Sequence, residues 1–159
     1  MTVRIELDAV PKAARAAMMD LERHLAQCSL DEALLELVRL RVSQINGCAY
    51  CIDMHYKNAR AREETEARLY FLSVWREVSL YSDRERAALW WAEAVTQLGP
   101  TGVGDDVYQR VSTVLTPAEM VDLTLAVVSI NGWNRLNAAF RTPAAGYRVG
   151  QWAEASTAR

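Results

Sequence analysis

Apolar residues recur three and four positions apart along almost the whole chain, which is the spacing of amphipathic helices. The alternation of apolar and polar residues that predicts β-strands is nearly absent. The segments 10–28 and 29–45 show the helical pattern most clearly, each with one apolar stripe. In the first the stripe is Ala14, Met18, Leu21 and Leu25, and in the second it is Leu34, Leu37, Val38, Val42 and Ile45, with Arg41 inside it.

Turn signals divide the pattern into further helices. Asn46-Gly47 is expected to end the second helix, and a new helix is predicted from Cys48 to about Arg62. The remaining predicted helices cover 63–77, 82–99, 105–115, 116–130 and 133–141. Asn131-Gly132 is the predicted break between the last two. Residues after Thr142 are expected to be irregular. The sequence therefore predicts an all-α, single-domain fold over residues 1–159 with about seven or eight helices.

A repeat relates the two Asn-Gly signals. When the sequence is shifted by 85 residues, "LRVSQINGCAYCIDMH" aligns with "LAVVSINGWNRLNAAF". The identical pairs are Leu40/Leu125, Val42/Val127, Ile45/Ile130, Asn46/Asn131 and Gly47/Gly132. The pattern predicts a duplicated helix pair, with a reactive copy at about 29–62 and a degenerate copy at about 114–142. Chance similarity between two amphipathic helices is the alternative.

Composition and charge exclude several classes of protein. About half of the residues are apolar, 24% are charged, and the formal net charge is −2, so neither nucleic acid nor an anionic membrane is an expected partner. No signal peptide and no run of 18 apolar residues is present, which favours the cytoplasm. In that reducing compartment a close cysteine pair is typically catalytic, redox-cycling or metal-binding.

The segment "INGCAYCIDMH" carries such a pair. Cys48 and Cys51 stand three residues apart at a predicted helix N-terminus, where side chains at this spacing are about 5–6 Å apart and the helix dipole favours a thiolate. His55 follows Cys51 by one turn, so it could hydrogen-bond to that sulfur. Glu36, on the preceding helix, could reach the same site if the two helices fold back on each other.

These residues resemble the active-site signature of the alkylhydroperoxidase D (AhpD)-like family, within the carboxymuconolactone decarboxylase superfamily. The signature is Glu36, eleven residues, Cys48, two residues, Cys51, three residues, and His55. The segments "RLYFLSVWREVSLYSDRERAALWWAEAVTQL" and "LTPAEMVDLTLAVVSINGWNRLNAAFRTPAAG" also look like this family's second half. About 130 residues share the resemblance.

The resemblance implies a thiol-dependent peroxidase that needs no cofactor and assembles as a trimer or hexamer. It implies that Cys51 attacks the peroxide, that Cys48 resolves the sulfenic acid to a disulfide, and that His55 and Glu36 relay protons. An external dithiol, such as a lipoyl protein, would reduce the disulfide. The residues alone leave the order open, because His55 favours Cys51 and the helix N-terminus favours Cys48.

One position departs from the family pattern. Tyr50 stands where founding members carry a histidine before the second cysteine. Because the pKa of a tyrosine is about 10, it is a poor base at neutral pH, although it can donate a hydrogen bond. We therefore expect an auxiliary role for Tyr50 and a shortened relay.

Two alternatives belong to other functional classes. Carboxymuconolactone decarboxylase-like lactone chemistry follows from the superfamily, but such enzymes are not built around a cysteine pair. A non-enzymatic oligomer that holds zinc or senses redox state is the other, since the same side chains are suitable zinc ligands. No second cysteine pair completes such a site, and His24 has no cysteine nearby.

Cys28 is predicted to be a small buried hydrophobic residue. The tryptophans Trp75, Trp90, Trp91 and Trp133 are predicted to lie in the core or a subunit interface.

Overall fold

The computed structural model describes residues 2–6 and 9–152, and these residues contain seven α-helices, one 3₁₀ helix and no strand. The predicted all-α fold is confirmed. In chain order the helices are α1 (Lys12–Leu25), α2 (Glu32–Asn46), α3 (Ala49–Ala61), α4 (Glu66–Phe71), the 3₁₀ helix (Leu72–Glu77), α5 (Asp83–Thr96), α6 (Asp105–Ser112) and α7 (Pro117–Phe140).

Helix α2 is central and packs against α3, α5 and α7. Every residue from 34 to 40 is buried, so α2 is covered on all sides in its middle and lacks the solvent-facing stripe of a surface helix. Two charged residues, Glu36 and Arg39, lie within this buried stretch. A charge is costly to bury unless it is paired, so both are expected to have ionic partners.

Side-chain caps start four of the helices. Asp31, Thr65, Ser82 and Thr116 each accept a hydrogen bond from a backbone N–H in the first turn. The capping box predicted for Ser82 and Glu85 is present. The segment predicted as one helix at 63–77 is instead α4 followed by the 3₁₀ helix, and within the latter the backbone leaves the helical conformation at Val74.

The two Asn-Gly signals have different outcomes. Gly47 adopts φ +65°, ends α2 and turns the chain so that α3 packs back on α2. The helix break predicted at Asn131-Gly132 is wrong, because α7 is one helix of 24 residues that includes both of them. The second half of the predicted repeat is therefore one helix.

Both local and tertiary contacts of Asn131 and Gly132 accompany the continuation of α7. Asn131 donates to the carbonyl of Val127, 2.9 Å away, and Gly132 lies where an added Cβ would be 2.9 Å from Cε of Met18 on α1. Asn46 and Asn131, which are equivalent positions of the repeat, meet through a 2.9 Å side-chain hydrogen bond. Tertiary packing here overrides the local turn preference of Asn-Gly.

Candidate functional site

The cysteine pair lies where α2 ends and α3 begins. Cys48 is the N-cap residue of α3 rather than its first residue, and Cys51 lies in the first turn. Both side chains are buried, at 3% and 0% exposure, and the two sulfur atoms are 2.6 Å apart. Both cysteines are reduced. A disulfide, with its bond of about 2.05 Å, could therefore form with little backbone movement.

The two thiols have unequal acidity. The hydrogen bond from the Cys51 thiol, backbone N–H groups of Cys51 and Tyr50, and the Asn134 amide lower the pKa of Cys48 to about 7, against the opposing effect of burial. The same hydrogen bond, together with burial and the nearby Cys48 charge, raises the pKa of Cys51. In the reduced pair the negative charge is therefore carried mainly by Cys48, with the proton held on Cys51.

Glu36 and His55 form the second part of the site. The fold-back of α3 on α2 brings Oε2 of Glu36 to 2.7 Å from Nδ1 of His55, and both side chains are buried. Burial raises the pKa of Glu36, but the charge and hydrogen bond of His55, the charge of Arg39 and the Asn58 amide outweigh it, and the pKa lies below its ordinary value. Glu36 is thus a carboxylate and can only accept, so Nδ1 of His55 carries the proton.

The other ring nitrogen of His55 is unengaged. Nε2 is buried and has no hydrogen-bond partner among the residues that the structure describes. The hydrogen bond expected between His55 and Cys51 is not formed: the side-chain partners of the Cys51 sulfur are Cys48 and Asn137. The hydrogen bond from Nδ1 to Glu36 is charge-assisted, because its acceptor is a buried carboxylate.

Arg39 balances the carboxylates around this pair. Its guanidinium lies 2.8 Å from Glu32, 3.5 Å from Glu22 and 3.5 Å from Glu36. Glu22 in turn accepts a hydrogen bond of 2.9 Å from the indole of Trp133. This network joins α1, α2 and α7, and it keeps Glu36 ionised in a buried position.

A cavity of about 560 Å³ borders His55 and Asn137. Its walls come from α1, α2, α3, α7 and the segment that follows α7. The aromatic lining residues are Tyr50, Trp133, Tyr147 and Trp152. Neither cysteine lines the cavity directly, but the Asn137 amide donates to the Cys51 sulfur over 3.4 Å. Asn137 therefore contacts both the cavity and the Cys51 sulfur.

Tyr50 lines this cavity, and its hydroxyl accepts a hydrogen bond of 3.0 Å from the indole of Trp152. Burial is the main cause that raises the pKa of Tyr50, so its phenol is protonated at neutral pH.

The remaining histidine and cysteine of the chain lie away from this site. His24 pairs with Asp122, at 2.8 Å, and Cys28 is half-buried near the end of α1.

Sequence reasoning missed Asn134, Asn137, Tyr147 and Trp152. A signal for the first two was present: the buried stripe of α7 runs through Leu123, Val127 and Ile130 to Asn134 and Asn137. Two asparagines at helical spacing in an apolar stripe indicate buried polar contacts. Tyr147 and Trp152 follow the last helix without periodicity, so no pattern connects them with the site.

Comparison with known proteins shows the family of the chain. Residues 11–94 match the sequence model of the carboxymuconolactone decarboxylase family. The chain belongs to this family. The uncharacterized protein YdfG of Bacillus subtilis is 40% identical over 91% of this chain and 99% of its own. The uncharacterized protein YnjA of Escherichia coli is 32% identical over 74% of this chain and 64% of its own.

Solved structures share the fold and point to the AhpD-like branch of the family. A protein of unknown function from Agrobacterium tumefaciens, named as a candidate AhpD antioxidant defence protein, superposes with a TM-score of 0.87 and 36% identity over 92% of this chain and all of its own. An uncharacterized peroxidase-related protein from Ralstonia eutropha, with an AhpD core, gives a TM-score of 0.76 at 18% identity over 87% of this chain and 74% of its own. The second likeness concerns the fold alone.

Within residues 2–6 and 9–152 no three His, Cys, Asp or Glu side chains are arranged to hold a metal ion. Over the same residues no helix is long and apolar enough to cross a membrane.

Proposed function

We propose that this protein is a thiol-dependent peroxidase and disulfide oxidoreductase that works through Cys48 and Cys51. The observation that carries the proposal is the buried sulfur pair, 2.6 Å apart, beside a cavity that the Glu36–His55 pair also faces. Family membership and the AhpD-like structural relatives support it.

The reaction begins with a proton shift. The thiol proton of Cys51 passes to the neighbouring Cys48 thiolate, which leaves the thiolate on the cysteine that Asn137, a residue of the cavity wall, contacts. The Asn137 amide stabilises that charge by donating to the sulfur. Because the pKa of Cys51 is raised, its thiolate is scarce but strongly nucleophilic once formed.

The Cys51 thiolate then attacks one peroxide oxygen and the O–O bond breaks. The sulfur gains OH as a sulfenic acid, and the departing alkoxide takes a proton that Nε2 of His55 has first accepted from solvent, while the Glu36 hydrogen bond at Nδ1 fixes the orientation of the ring. The Cys48 sulfur attacks the sulfenic sulfur and water leaves, which forms the disulfide. An external dithiol, for which a lipoyl protein is our proposal, reduces the disulfide and is itself oxidised.

Mass spectrometry of the reduced protein with one equivalent of tert-butyl hydroperoxide tests this cycle. We expect loss of two hydrogens in the Cys48–Cys51 peptide and recovery with a dithiol. Cys48→Ser should retain a Cys51 sulfenic acid that dimedone traps, whereas Cys51→Ser should give no adduct. Cys28→Ser is the matched control, because Cys28 lies outside the cavity lining.

Other outcomes would contradict the proposal. A dimedone adduct on Cys48 in the Cys51→Ser variant would reverse the order of attack. An unchanged peptide, together with lactone decarboxylation that survives loss of both cysteines, would favour the other chemistry of the family. One equivalent of tightly held zinc would favour the metal-binding alternative.

We also propose a cytoplasmic homo-oligomer, a trimer or hexamer. Large apolar side chains are exposed around α4 and the 3₁₀ helix, at Tyr70, Phe71, Val74 and Leu80, and an assembly would cover such a patch. Light scattering coupled to size-exclusion chromatography gives the subunit number. A monomer at micromolar concentration would contradict this part of the proposal.

A further inference from the structure

We propose that Asn46 is a positioning residue for the cysteine pair: it orients the side-chain amide of Asn134 so that an N–H group, and not the carbonyl oxygen, faces the two sulfur atoms. This orientation stabilises the thiolate of the reduced pair and so raises the reduction potential of the disulfide. The inference rests on the proposed function, because it concerns the redox cycle of Cys48 and Cys51. Asn46 acts through Asn134 rather than on the sulfurs directly.

Three asparagine side chains join the end of α2 to α7, and we call Asn131, Asn46 and Asn134 the amide chain. Nδ2 of Asn46 donates to Oδ1 of Asn131 over 2.9 Å and to Oδ1 of Asn134 over 2.8 Å. Nδ2 of Asn134 then donates to Oγ of Ser43 over 3.1 Å. Asn134 is buried, and the other two asparagines are half-buried. The amide chain therefore links the turn that carries Cys48 to the helix that packs on it.

The orientation of the amide chain is fixed at its Asn131 end. Nδ2 of Asn131 lies 2.9 Å from the carbonyl oxygen of Val127, which can only accept a hydrogen bond. The guanidinium of Arg135 can only donate, and it lies 2.7 Å from Oδ1 of Asn131. The nitrogen and the oxygen of this amide therefore cannot be exchanged, and the side chain of Asn46 must donate to Asn131.

Ser43 fixes the other end of the amide chain. Its hydroxyl donates to the carbonyl of Arg39, four residues earlier in α2, over 2.7 Å. Because a hydroxyl has one hydrogen, Oγ of Ser43 can only accept from Asn134. Asn46 has the matching polarity, since both of its amide hydrogens are donated to oxygen atoms. Both ends of the chain thus require the same orientation of the Asn134 amide.

This orientation gives the cysteine pair a hydrogen-bond donor. One amide hydrogen of Asn134 is donated to Ser43, and the amide also acts as a donor toward the sulfurs of Cys48 and Cys51. The hydrogen bond from the Cys51 thiol is the main cause that lowers the pKa of Cys48, and the Asn134 amide adds to it. A donor favours a thiolate, whereas a carbonyl oxygen in the same place would disfavour it.

The benefit of this donor differs between the two redox states. An external dithiol that reduces the pair gives up two electrons and two protons, breaks the Cys48–Cys51 bond and leaves with a disulfide of its own. One of the protons passes to solvent where Cys48 remains a thiolate. The reduced pair therefore carries a charge that the Asn134 amide stabilises, and the disulfide carries none. Stabilising the reduced form makes the reduction potential less negative.

Equilibration of the protein with mixtures of reduced and oxidised glutathione measures the reduction potential, read from the mass of the alkylated protein. Asn46→Asp should lower the equilibrium constant for reduction about tenfold, which is about 30 mV toward more negative potential. The reason is that a carboxylate only accepts, so the Asn134 amide turns its N–H groups toward residue 46 and its oxygen toward the sulfurs. Asn131→Asp is the matched control. It introduces the same charge but keeps the oxygen that accepts from Asn46 and Arg135.

A second variant removes the donors without adding a charge. Asn46→Ala should shift the equilibrium in the same direction by a smaller factor, because the bond to Ser43 still favours the native orientation of Asn134. Circular dichroism and urea unfolding of each variant show that it folds. Potentials that are equal in Asn46→Asp, Asn46→Ala and the unmodified protein would overturn the inference. An equal shift in Asn131→Asp would also overturn it, because charge alone would then account for the effect.

The equilibrium with glutathione requires no peroxide, so it separates this inference from the proposed function. A potential that responds to Asn46 in a protein that consumes no peroxide would contradict the proposed function and support the positioning role. Peroxide consumption by a protein whose potential does not respond to Asn46 would overturn the positioning role and leave the proposed function intact.

Discussion

Nδ1 of His55 lies 2.7 Å from Oε2 of Glu36, although the two residues are nineteen positions apart in the sequence. The contact exists because Gly47 lets α3 fold back on α2, which aligns one turn of each helix. It fixes the tautomer of His55 and directs the other ring nitrogen away from the carboxylate. The proton relay that we propose depends on this one hydrogen bond.

Glu36→Gln should therefore slow the oxidation of the reduced protein by peroxide. An amide can keep a hydrogen bond to His55 but carries no negative charge, so a loss of about 10- to 100-fold in the second-order rate constant is expected, up to the lower end of the about 10²–10⁴-fold contribution of acid–base catalysis. Stopped-flow tryptophan fluorescence measures the rate. Glu32→Gln is the control, because Glu32 contacts Arg39 but not His55. Equal effects of the two variants would assign Glu36 to charge balance alone.

The Cys48 thiolate should appear as the pH rises through about 7, the value to which its neighbours lower its pKa. Absorbance at 240 nm and alkylation by iodoacetamide follow the titration. In Cys51→Ala the thiol hydrogen bond to Cys48 is lost, so the pKa of Cys48 should move back toward its ordinary value of about 8.5. An unchanged midpoint would mean that the backbone N–H groups and the Asn134 amide are sufficient to hold the thiolate.

The same shift has a consequence for stability. The pKa of Cys48 is lower in the folded than in the unfolded protein, so the ionised Cys48 stabilises the folded protein. This contribution to the free energy of unfolding is complete above the pKa of the unfolded protein and is lost as the pH falls through about 7. Urea unfolding of the reduced protein at pH 6 and pH 9 should show this gain relative to Cys48→Ser measured at the same two pH values. A difference between the proteins that does not depend on pH would contradict the assignment.

Asn137→Ala should slow peroxide attack about tenfold, because it removes the side-chain amide that contacts the Cys51 sulfur. Asn137→Asp should slow it further, since a carboxylate beside the sulfur disfavours the Cys51 thiolate. Rates of dimedone-trapped sulfenic acid formation in the Cys48→Ser background measure the effect. Leu136→Ala, at an exposed position of the same helix, is the control and should leave the rate unchanged.

The two Asn-Gly glycines should respond in opposite directions to alanine. Gly47→Ala places a side chain at φ +65° and should destabilise the protein by about 1 kcal/mol. Gly132→Ala should stabilise it by up to about 1 kcal/mol through helix propensity, provided that the flexible end of Met18 moves aside. Urea midpoints give both values. Destabilisation by both substitutions would show that Met18 cannot repack.

The sequence by itself predicted the all-α fold and the turn at Gly47. It also predicted Cys48, Cys51, His55 and Glu36 as the candidate site residues. These features depend on local spacing: helical periodicity, a glycine needed at a left-handed position, and cysteines one helical turn apart. Local spacing also produced the error at Asn131-Gly132, where α7 continues because Asn131 bonds to Val127 and the glycine packs against Met18.

Only the tertiary structure decided what surrounds these residues. It buried Glu36 beside Arg39, turned His55 toward Glu36 instead of Cys51, and brought Asn137 to the Cys51 sulfur from a helix 86 positions away. It also placed Tyr147 and Trp152 in the cavity wall. Such contacts depend on which of several candidate partners the packing of α2, α3 and α7 brings within hydrogen-bond distance, and no periodicity along the chain encodes that choice.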